Sequence, residues 1–326
     1  TLSIRINMYK SRLNEQSIMV SVAASNNQQQ LHLTRIYLDD HHLGKPVFML
    51  PGALQSSDIF YPKDETANRE GLAHYLARQG YDVFIADLRG KGKSWPHISS
   101  HSNFGFHQLI TEDLPALLSK VTELRPNSPQ LWVGQGWGGV LLNAYYARFG
   151  NEFAEVSQLV HFGVRRRTII DSRKKTWWLG VLWQKIFPML TSLVGYLPLA
   201  RWRLAVCNES AQCLKDYLQW SQDELWCDPI DDYDYAAAML QRKLPASLYF
   251  ASMGDTVYGD QQDVRAFIRE QGPHDARMII LGKVCGNKNN YSHKSMLLHH
   301  DCEGDHFPLL MSWLNEYETG TVVLEP

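Results

Sequence analysis

Cysteine is scarce in this sequence of 326 residues, which contains five. None of them forms a CxxC pair, so the sequence offers neither a zinc knuckle nor a thioredoxin-like redox motif. Five scattered thiols also argue against a disulfide framework and favour reduced cysteines, as in a cytosolic protein. No charged region followed by an apolar run opens the chain, so no signal peptide is recognised. We therefore predict a cytoplasmic location.

An excess of charge of one sign is also lacking, because 32 Lys and Arg face 34 Asp and Glu. A protein that coats nucleic acid needs a basic field, so we expect no nucleic-acid partner. The apolar stretch Trp177–Ala200 is long enough for a transmembrane helix, but Lys185 lies near its middle. We expect two helices separated by Pro188 instead, and we leave peripheral membrane contact as an open but disfavoured alternative.

Short β-rich runs alternate with helical patterns along most of the chain. This alternation predicts an α/β fold, a mostly parallel central sheet flanked by helices. The predicted strands are Ser17–Ala24, Leu31–Leu38, Pro46–Leu50, Tyr81–Ala86, Leu131–Val133, Val156–Phe162, Ala246–Ser252 and Arg277–Leu281. The predicted helices are Glu65–Gln79, Phe106–Leu124, Val140–Phe149, Gln262–Gln271 and Phe307–Tyr317.

Strand signals vanish in the middle of the chain, from about Arg165 to Leu244. We predict a helical cap inserted into the core, so that residues 1–164 and 245–326 form the core and residues 165–244 the cap. Tryptophan is concentrated there, and six of the ten lie in the cap: Trp177, Trp178, Trp183, Trp202, Trp220 and Trp226. An aromatic, apolar cap favours a small apolar or acyl ligand in a pocket beneath it.

A strand, a glycine-dense turn and a helix follow one another in the segment 131–139, LWVGQGWGG. Gly134 and Gly138 stand two residues on either side of Gly136, in the arrangement G-x-S-x-G of the α/β-hydrolase superfamily, with glycine in place of the nucleophilic serine. Four further segments resemble that family in the right order: 51–58 (PGALQSSD), 87–94 (DLRGKGKS), 253–257 (MGDTV) and 291–297 (YSHKSML). The sequence thus resembles serine esterases and lipases of the acid-lipase-like branch.

The resemblance implies a role for each of these segments. Asp255 and His293 would be the acid and base of a triad, and the backbone N–H groups of Ala53 and Trp137 would form the oxyanion hole. The family uses neither a metal nor an organic cofactor, so we expect none. Two other acids that follow Asp255 in the chain could serve in its place, although we expect both at the start of a helix: Asp260 and Asp263.

Gly136 carries no side chain, so no acyl-enzyme can form there. We predict that the chain is inactive or nearly so as a serine hydrolase. Three explanations stay open: natural loss that leaves a ligand-binding protein, a recent or engineered replacement, and general-base chemistry by His293 and Asp255 without a covalent step. Many family members have His at the positions of Pro51 and Gln135, and these further departures favour natural loss.

Two other polar clusters have plainer interpretations. The C-terminal stretch is rich in potential ligands, but it lacks an HExxH spacing, so we predict no metal site there. Its members are His293, His299, His300, Asp301, Glu303, Asp305 and His306. The basic runs Arg165–Arg167 and Arg173–Lys175 are expected to form a solvated face, with an acidic head group of a ligand or lipid as the alternative.

Overall fold

The protein is built around a central sheet of eight strands. The computed structural model describes residues 13–23, 28–38, 44–62, 71–169 and 172–319. The strands lie in the order β1-β2-β4-β3-β5-β6-β9-β10, and β2 is antiparallel to both neighbours while the others run parallel. Their bounds are Leu13–Ser21 (β1), Gln30–Leu38 (β2), Pro46–Leu50 (β3), Asp82–Asp87 (β4), Gln130–Gln135 (β5), Val156–Phe162 (β6), Ala246–Ser252 (β9) and Ala276–Leu281 (β10). The predicted α/β class with a mostly parallel sheet is confirmed.

Helices cover both faces of this sheet, and others lie in the segment between β6 and β9. They are Leu72–Arg78 (α1), Phe106–Gln108 (α2), Leu114–Leu124 (α3), Trp137–Phe149 (α4), Arg173–Lys175 (α5), Phe187–Val194 (α6), Ala211–Gln222 (α7), Tyr235–Gln241 (α8), Gln261–Glu270 (α9), Ser295–Leu298 (α10) and Phe307–Thr319 (α11). Segments Leu109–Asp113 and Thr176–Ile186 are π-helical, and Ser57–Ile59, Lys283–Cys285 and Cys302–Gly304 are single 3-10 turns.

Alternate residues of the buried strands enter two separate cores. On β3, Phe48 and Leu50 pack into the core that α3 and α4 cover, whereas Val47 and Met49 pack into the core beneath α1 and α11. This is the period of two that a strand imposes on its side chains. Because both faces of β3 are covered, its sequence is a continuous apolar run rather than an alternating one.

Two helices begin more than one residue away from their predicted starts. Helix α4 begins at Trp137 instead of Val140, because two glycines in its first turn allow it to pack against the end of β3. A Cβ on Gly138 would lie 2.3 Å from the carbonyl oxygen of Leu50. Helix α1 begins at Leu72, and the predicted start at Glu65 lies outside the described residues, as does the predicted strand end at Ala24.

Residues 165–244, which we call the insertion, connect β6 to β9 and contain α5 to α8. They also contain a two-stranded sheet, β7 (Tyr196–Leu197) with β8 (Glu209–Ser210), that the prediction of a purely helical segment missed. Strands of two residues are too short to leave a periodic signal. Within the described residues, no helix has both the length and the apolar composition needed to cross a bilayer.

The predicted helix break at Pro188 is wrong. Helical conformation is continuous from α5 through the π-helical segment into α6, and Pro188 lies in the first turn of α6. A π-helical turn is wider than an α-helical one, which makes room for the ring and for the missing N–H. A single helical run therefore covers the apolar stretch as far as Val194, and β7 follows it.

Buried polar contacts fix one half of the insertion to the core. The Nζ of Lys91, in the loop after β4, lies 2.8 Å from Oε2 of Glu209, and both side chains are almost wholly buried. The backbone N–H of Phe106 donates to Asp216 of α7 over 2.7 Å. By contrast, the segment Thr176–Ile186 has no buried residue. The segment Thr176–Ile186 is thus held less firmly than α7.

Candidate functional site

The turn between β5 and α4 positions the centre of the site. Gly136 has φ 51° and ψ −125°, a conformation that residues with a Cβ rarely adopt. Strand and helix approach so closely that a Cβ on Gly134 would lie 2.4 Å from the Cα of Gly139. The turn therefore presents residue 136 at the carboxyl edge of the sheet, where ligands bind in open α/β sheets.

The loops after β9 and β10 bring Asp255 and His293 to this edge. Nδ1 of His293 lies 2.6 Å from Oδ2 of Asp255. The other ring nitrogen faces the turn, because a Cβ placed on Gly136 would lie 3.0 Å from Nε2 of His293. The structure thus places Gly136, His293 and Asp255 in one line, in the order that nucleophilic catalysis by a triad requires.

The environment of Asp255 favours its charged form. Burial raises the pKa of this carboxyl group, but the charge and hydrogen bond of His293 and the backbone N–H groups of Tyr258 and Gly259 outweigh burial, so the net pKa lies below the ordinary value. An ionised Asp255 accepts a hydrogen bond from Nδ1–H, which leaves Nε2 of His293 as the acceptor. The pair is therefore arranged as a base that faces Gly136.

Two backbone N–H groups complete the site. Within the described part of the chain, no acceptor takes the N–H of Ala53 or of Trp137, and both residues line the same cavity as Gly136. Trp137 is the first residue of α4, where N–H groups have no partner within the helix. A developing oxyanion above Gly136 is the kind of acceptor that such a pair of donors stabilises.

Gln135 has a role that the sequence reasoning missed. Its side chain is buried, and its Oε1 accepts the N–H of Gly52 at 2.9 Å, which joins the loop after β3 to the turn at Gly136. The sequence showed only that Gln135 replaces a common histidine. A long amide side chain at the end of a buried strand was the available signal, since a buried amide needs a partner.

The other candidate acids and ligands are engaged elsewhere. Asp260 accepts the N–H of Gln262 as the N-cap of α9, and Asp263 lies 2.8 Å from Nζ of Lys175. His299, His300 and Asp301 each place a potential ligand atom within 4.8 Å of the others. Asp301 already accepts a hydrogen bond from Asn289 and lies 3.6 Å from the cationic Nζ of Lys288, which disfavours a metal ion there.

A cavity of about 1140 Å³ separates the sheet edge from the insertion. Gly136, Asp255 and His293 form part of one wall. The facing wall is mainly apolar and includes Trp178, Leu179, Leu182, Trp183, Phe187, Leu199, Leu204, Tyr217 and Leu218. The six tryptophans of the insertion have different environments. Trp220 and Trp226 are buried in contact with each other, and Trp178 and Trp183 line the cavity. The other two are exposed and do not contribute to the described lining: Trp177 and Trp202.

Comparisons with known proteins identify sequences and folds that are similar to this chain. Residues 45–161 match the family described as alpha/beta hydrolase fold. The chain is 29% identical over 117 residues to lipase lipl-3 of Caenorhabditis elegans, a match that covers 33% of this chain and only 28% of that protein's length.

Solved structures show the same fold over nearly the whole chain. A soluble variant of monoglyceride lipase from Saccharomyces cerevisiae has a TM-score of 0.62 at 16% identity, covering 94% of this chain and 96% of its own. The enol-lactonase from Burkholderia xenovorans LB400 has a TM-score of 0.56 at 14% identity, covering 92% and 100% respectively.

Proposed function

We propose, from the premise that this chain has the α/β-hydrolase fold and is related to lipases and esterases, that it binds a small apolar or acyl ligand and has little or no serine-hydrolase activity. In this proposal the insertion serves as a cap over the ligand. The chemistry of the site calls for no metal and no organic cofactor.

One observation carries the proposal: the cavity is complete except for a side chain at residue 136. The base and the two backbone donors lie beside Gly136, and apolar side chains of the insertion line the same cavity. Cavities of this size and lining bind ligands of drug or lipid size. The names of its relatives, a lipase and a monoglyceride lipase, support an acyl ligand.

Loss of the hydroxyl removes the covalent step. In a serine hydrolase the base takes the hydroxyl proton while the oxygen attacks the acyl carbon. Gly136 has neither the oxygen nor the proton, so His293 has nothing to activate at that position. Removal of a triad nucleophile leaves only the small residual rate that the oxyanion donors and binding supply.

Binding in the cavity can be tested with a matched pair of leucines. Leu204 and Leu193 are similarly exposed, at 72% and 77%, but among the described residues Leu204 lines the cavity and Leu193 does not. We expect Leu204→Glu to weaken binding of 1-oleoylglycerol by about tenfold, because a charge would face the apolar chain. Leu193→Glu should leave the affinity within about twofold. Tryptophan fluorescence reports binding, since Trp178 and Trp183 line the cavity.

Equal affinities of both variants and the unmodified chain would contradict binding in this cavity. Both leucines are on the surface of the insertion, so neither substitution should disturb folding. Thermal unfolding of the two variants checks this point.

A second candidate function is favoured by the intact pair of Asp255 and His293. Nε2 of His293 could take a proton from water, whose oxygen attacks an acyl carbon while Ala53 and Trp137 bind the oxyanion. The alkoxide then leaves and receives the proton from His293.

His293→Ala in the unmodified chain decides between the two candidates. Direct water attack predicts hydrolysis of 4-nitrophenyl butyrate that falls by about 100-fold or more in the variant. The binding proposal predicts the same near-background rate for both proteins.

A further inference from the structure

The charges that line the cavity are strongly unbalanced. Five basic side chains contribute to its lining: Arg165, Arg167, Lys174, Lys175 and Lys294. Asp255 is the one acidic residue among the described lining residues, and its carboxylate is already bonded to His293. A cavity lined by one sign of charge concentrates ligands of the opposite sign.

The deeper bases have partners within the protein. Nζ of Lys175 lies 2.8 Å from Asp263 and 3.6 Å from Asp260. Arg165 is buried and donates to the carbonyl oxygen of Tyr258 at 2.8 Å. These contacts stabilise α5 and the loop before it against the core. They leave little capacity to bind a ligand.

Arg167 is partly engaged as well. Its guanidinium lies 3.4 Å from Glu224 and 4.0 Å from Glu270, and Glu224 is almost wholly exposed. An exposed pair of this kind is weak and is screened by salt. Arg167 therefore adds to the positive field of the cavity without being a dedicated contact.

Lys174 and Lys294 differ from these three bases. Neither has a carboxylate partner among the described residues, and both side chains are exposed as well as lining the cavity. Nζ of Lys174 lies 3.5 Å from the hydroxyl of Thr256, the residue after Asp255. Lys294 follows His293 directly. Thr256 and Lys294 directly follow the two members of the hydrogen-bonded pair Asp255 and His293. Both exposed lysines thus line the part of the cavity beside the base, which we call the rim.

We infer that the ligand is an anionic amphiphile, whose acyl chain lies against the apolar wall of the insertion and whose carboxylate or phosphate is bound at the rim by Lys174 and Lys294. The inference rests on the proposed function, since it requires that an acyl ligand occupies the cavity. The inference extends the proposed function by specifying the charge of the ligand and the residues that select this charge. Neutral glycerides of the same chain length then bind more weakly.

Three ligands with one acyl chain test the inference by calorimetry: oleate, 1-oleoyl lysophosphatidic acid and 1-oleoylglycerol, each below its micelle concentration. We expect the unmodified chain to bind at least one anion about tenfold more tightly than the neutral glyceride. Oleate and the lysophosphatidic acid distinguish a carboxylate from a phosphate. The preference should decline as salt is raised, because ions screen exposed lysines.

Reversing the charge of the two rim lysines tests whether they cause the preference for anions. The double variant Lys174→Glu/Lys294→Glu should bind both anions about tenfold more weakly and the glyceride unchanged. Lys215→Glu is the matched control, because Lys215 is an exposed lysine of α7 in the insertion that does not contribute to the described lining of the cavity. It should keep the preference for anions. Unfolding temperatures of the variants confirm that each is folded.

Each other outcome overturns the inference. Equal affinity for all three ligands contradicts it but leaves the proposed function standing, whereas no binding of any ligand contradicts both. A preference for anions that survives the double reversal places the anion site elsewhere. Binding to phosphatidylglycerol vesicles that the double reversal abolishes, with no preference among the dissolved amphiphiles, would assign the lysines to a membrane surface instead.

Discussion

Gly136→Ser is expected to raise the hydrolysis of 4-nitrophenyl butyrate by about 10³-fold over the unmodified chain. The rest of the site is in place: a Cβ at residue 136 would lie 3.0 Å from Nε2 of His293, so a serine hydroxyl falls within reach of the base. We expect less than the full effect of a triad nucleophile. The contact is close enough that His293 must move by a few tenths of an ångström, and the positive φ strains any side chain there.

Gly136→Ala is the matched control for this experiment. Alanine introduces the same Cβ in the same strained turn but no hydroxyl, so it should stay at the background rate. Adding His293→Ala to Gly136→Ser should return the rate to that background, because the hydroxyl then lacks its base. A serine variant no faster than the alanine variant would show that the remaining groups do not form a working triad.

Lys91→Met is expected to lower the free energy of unfolding by about 4 kcal/mol. Burial lowers the pKa of Lys91, but the charge of Glu209 and its hydrogen bond outweigh burial and hold the pKa above the ordinary value, so the ion pair persists in the folded protein. Without the ammonium group, the buried carboxylate of Glu209 keeps two neutral donors, the hydroxyl of Tyr217 at 3.2 Å and the backbone N–H of Ser210 at 3.3 Å, but no opposite charge. Urea unfolding measures the loss.

Lys120→Met provides the comparison for Lys91→Met. Lys120 pairs with Glu123 on a surface turn of α3, and an exposed pair of this kind contributes about 1 kcal/mol or less. The double variant Lys91→Met/Glu209→Met removes both buried charges and should recover much of the stability. If Lys91→Met destabilised no more than Lys120→Met, the pair between core and insertion would not be the strong tie that its burial indicates.

Local features of the chain were predictable from the sequence. The glycine spacing around Gly136 reflects close contacts between β5 and α4 that any residue with a Cβ would prevent, so it is visible in the sequence. Strand β3 was predicted with its observed bounds, since both its faces are buried and its ends are marked by prolines. Asp255 and His293 were identified through the resemblance of their segments to the α/β-hydrolase family.

Features that depend on distant parts of the chain were not predictable. Lys91 and Glu209 are 118 positions apart, and nothing in either local sequence indicates the other. The bond between Gln135 and Gly52 likewise joins two loops that meet only after the sheet has formed. The proline rule failed at Pro188 because the preceding π-helical turns relieve the steric conflict on which the rule is based.

The two N–H groups that we propose as oxyanion donors belong to the main chain, so the site responds unevenly to mutation. Any sequence that maintains the turn at Gly136 and the loop held by Gln135 also maintains the N–H groups of Trp137 and Ala53. Changes of side chain that leave this backbone intact therefore leave both donors in place, whereas a nucleophile at residue 136 would depend on the identity of a single side chain.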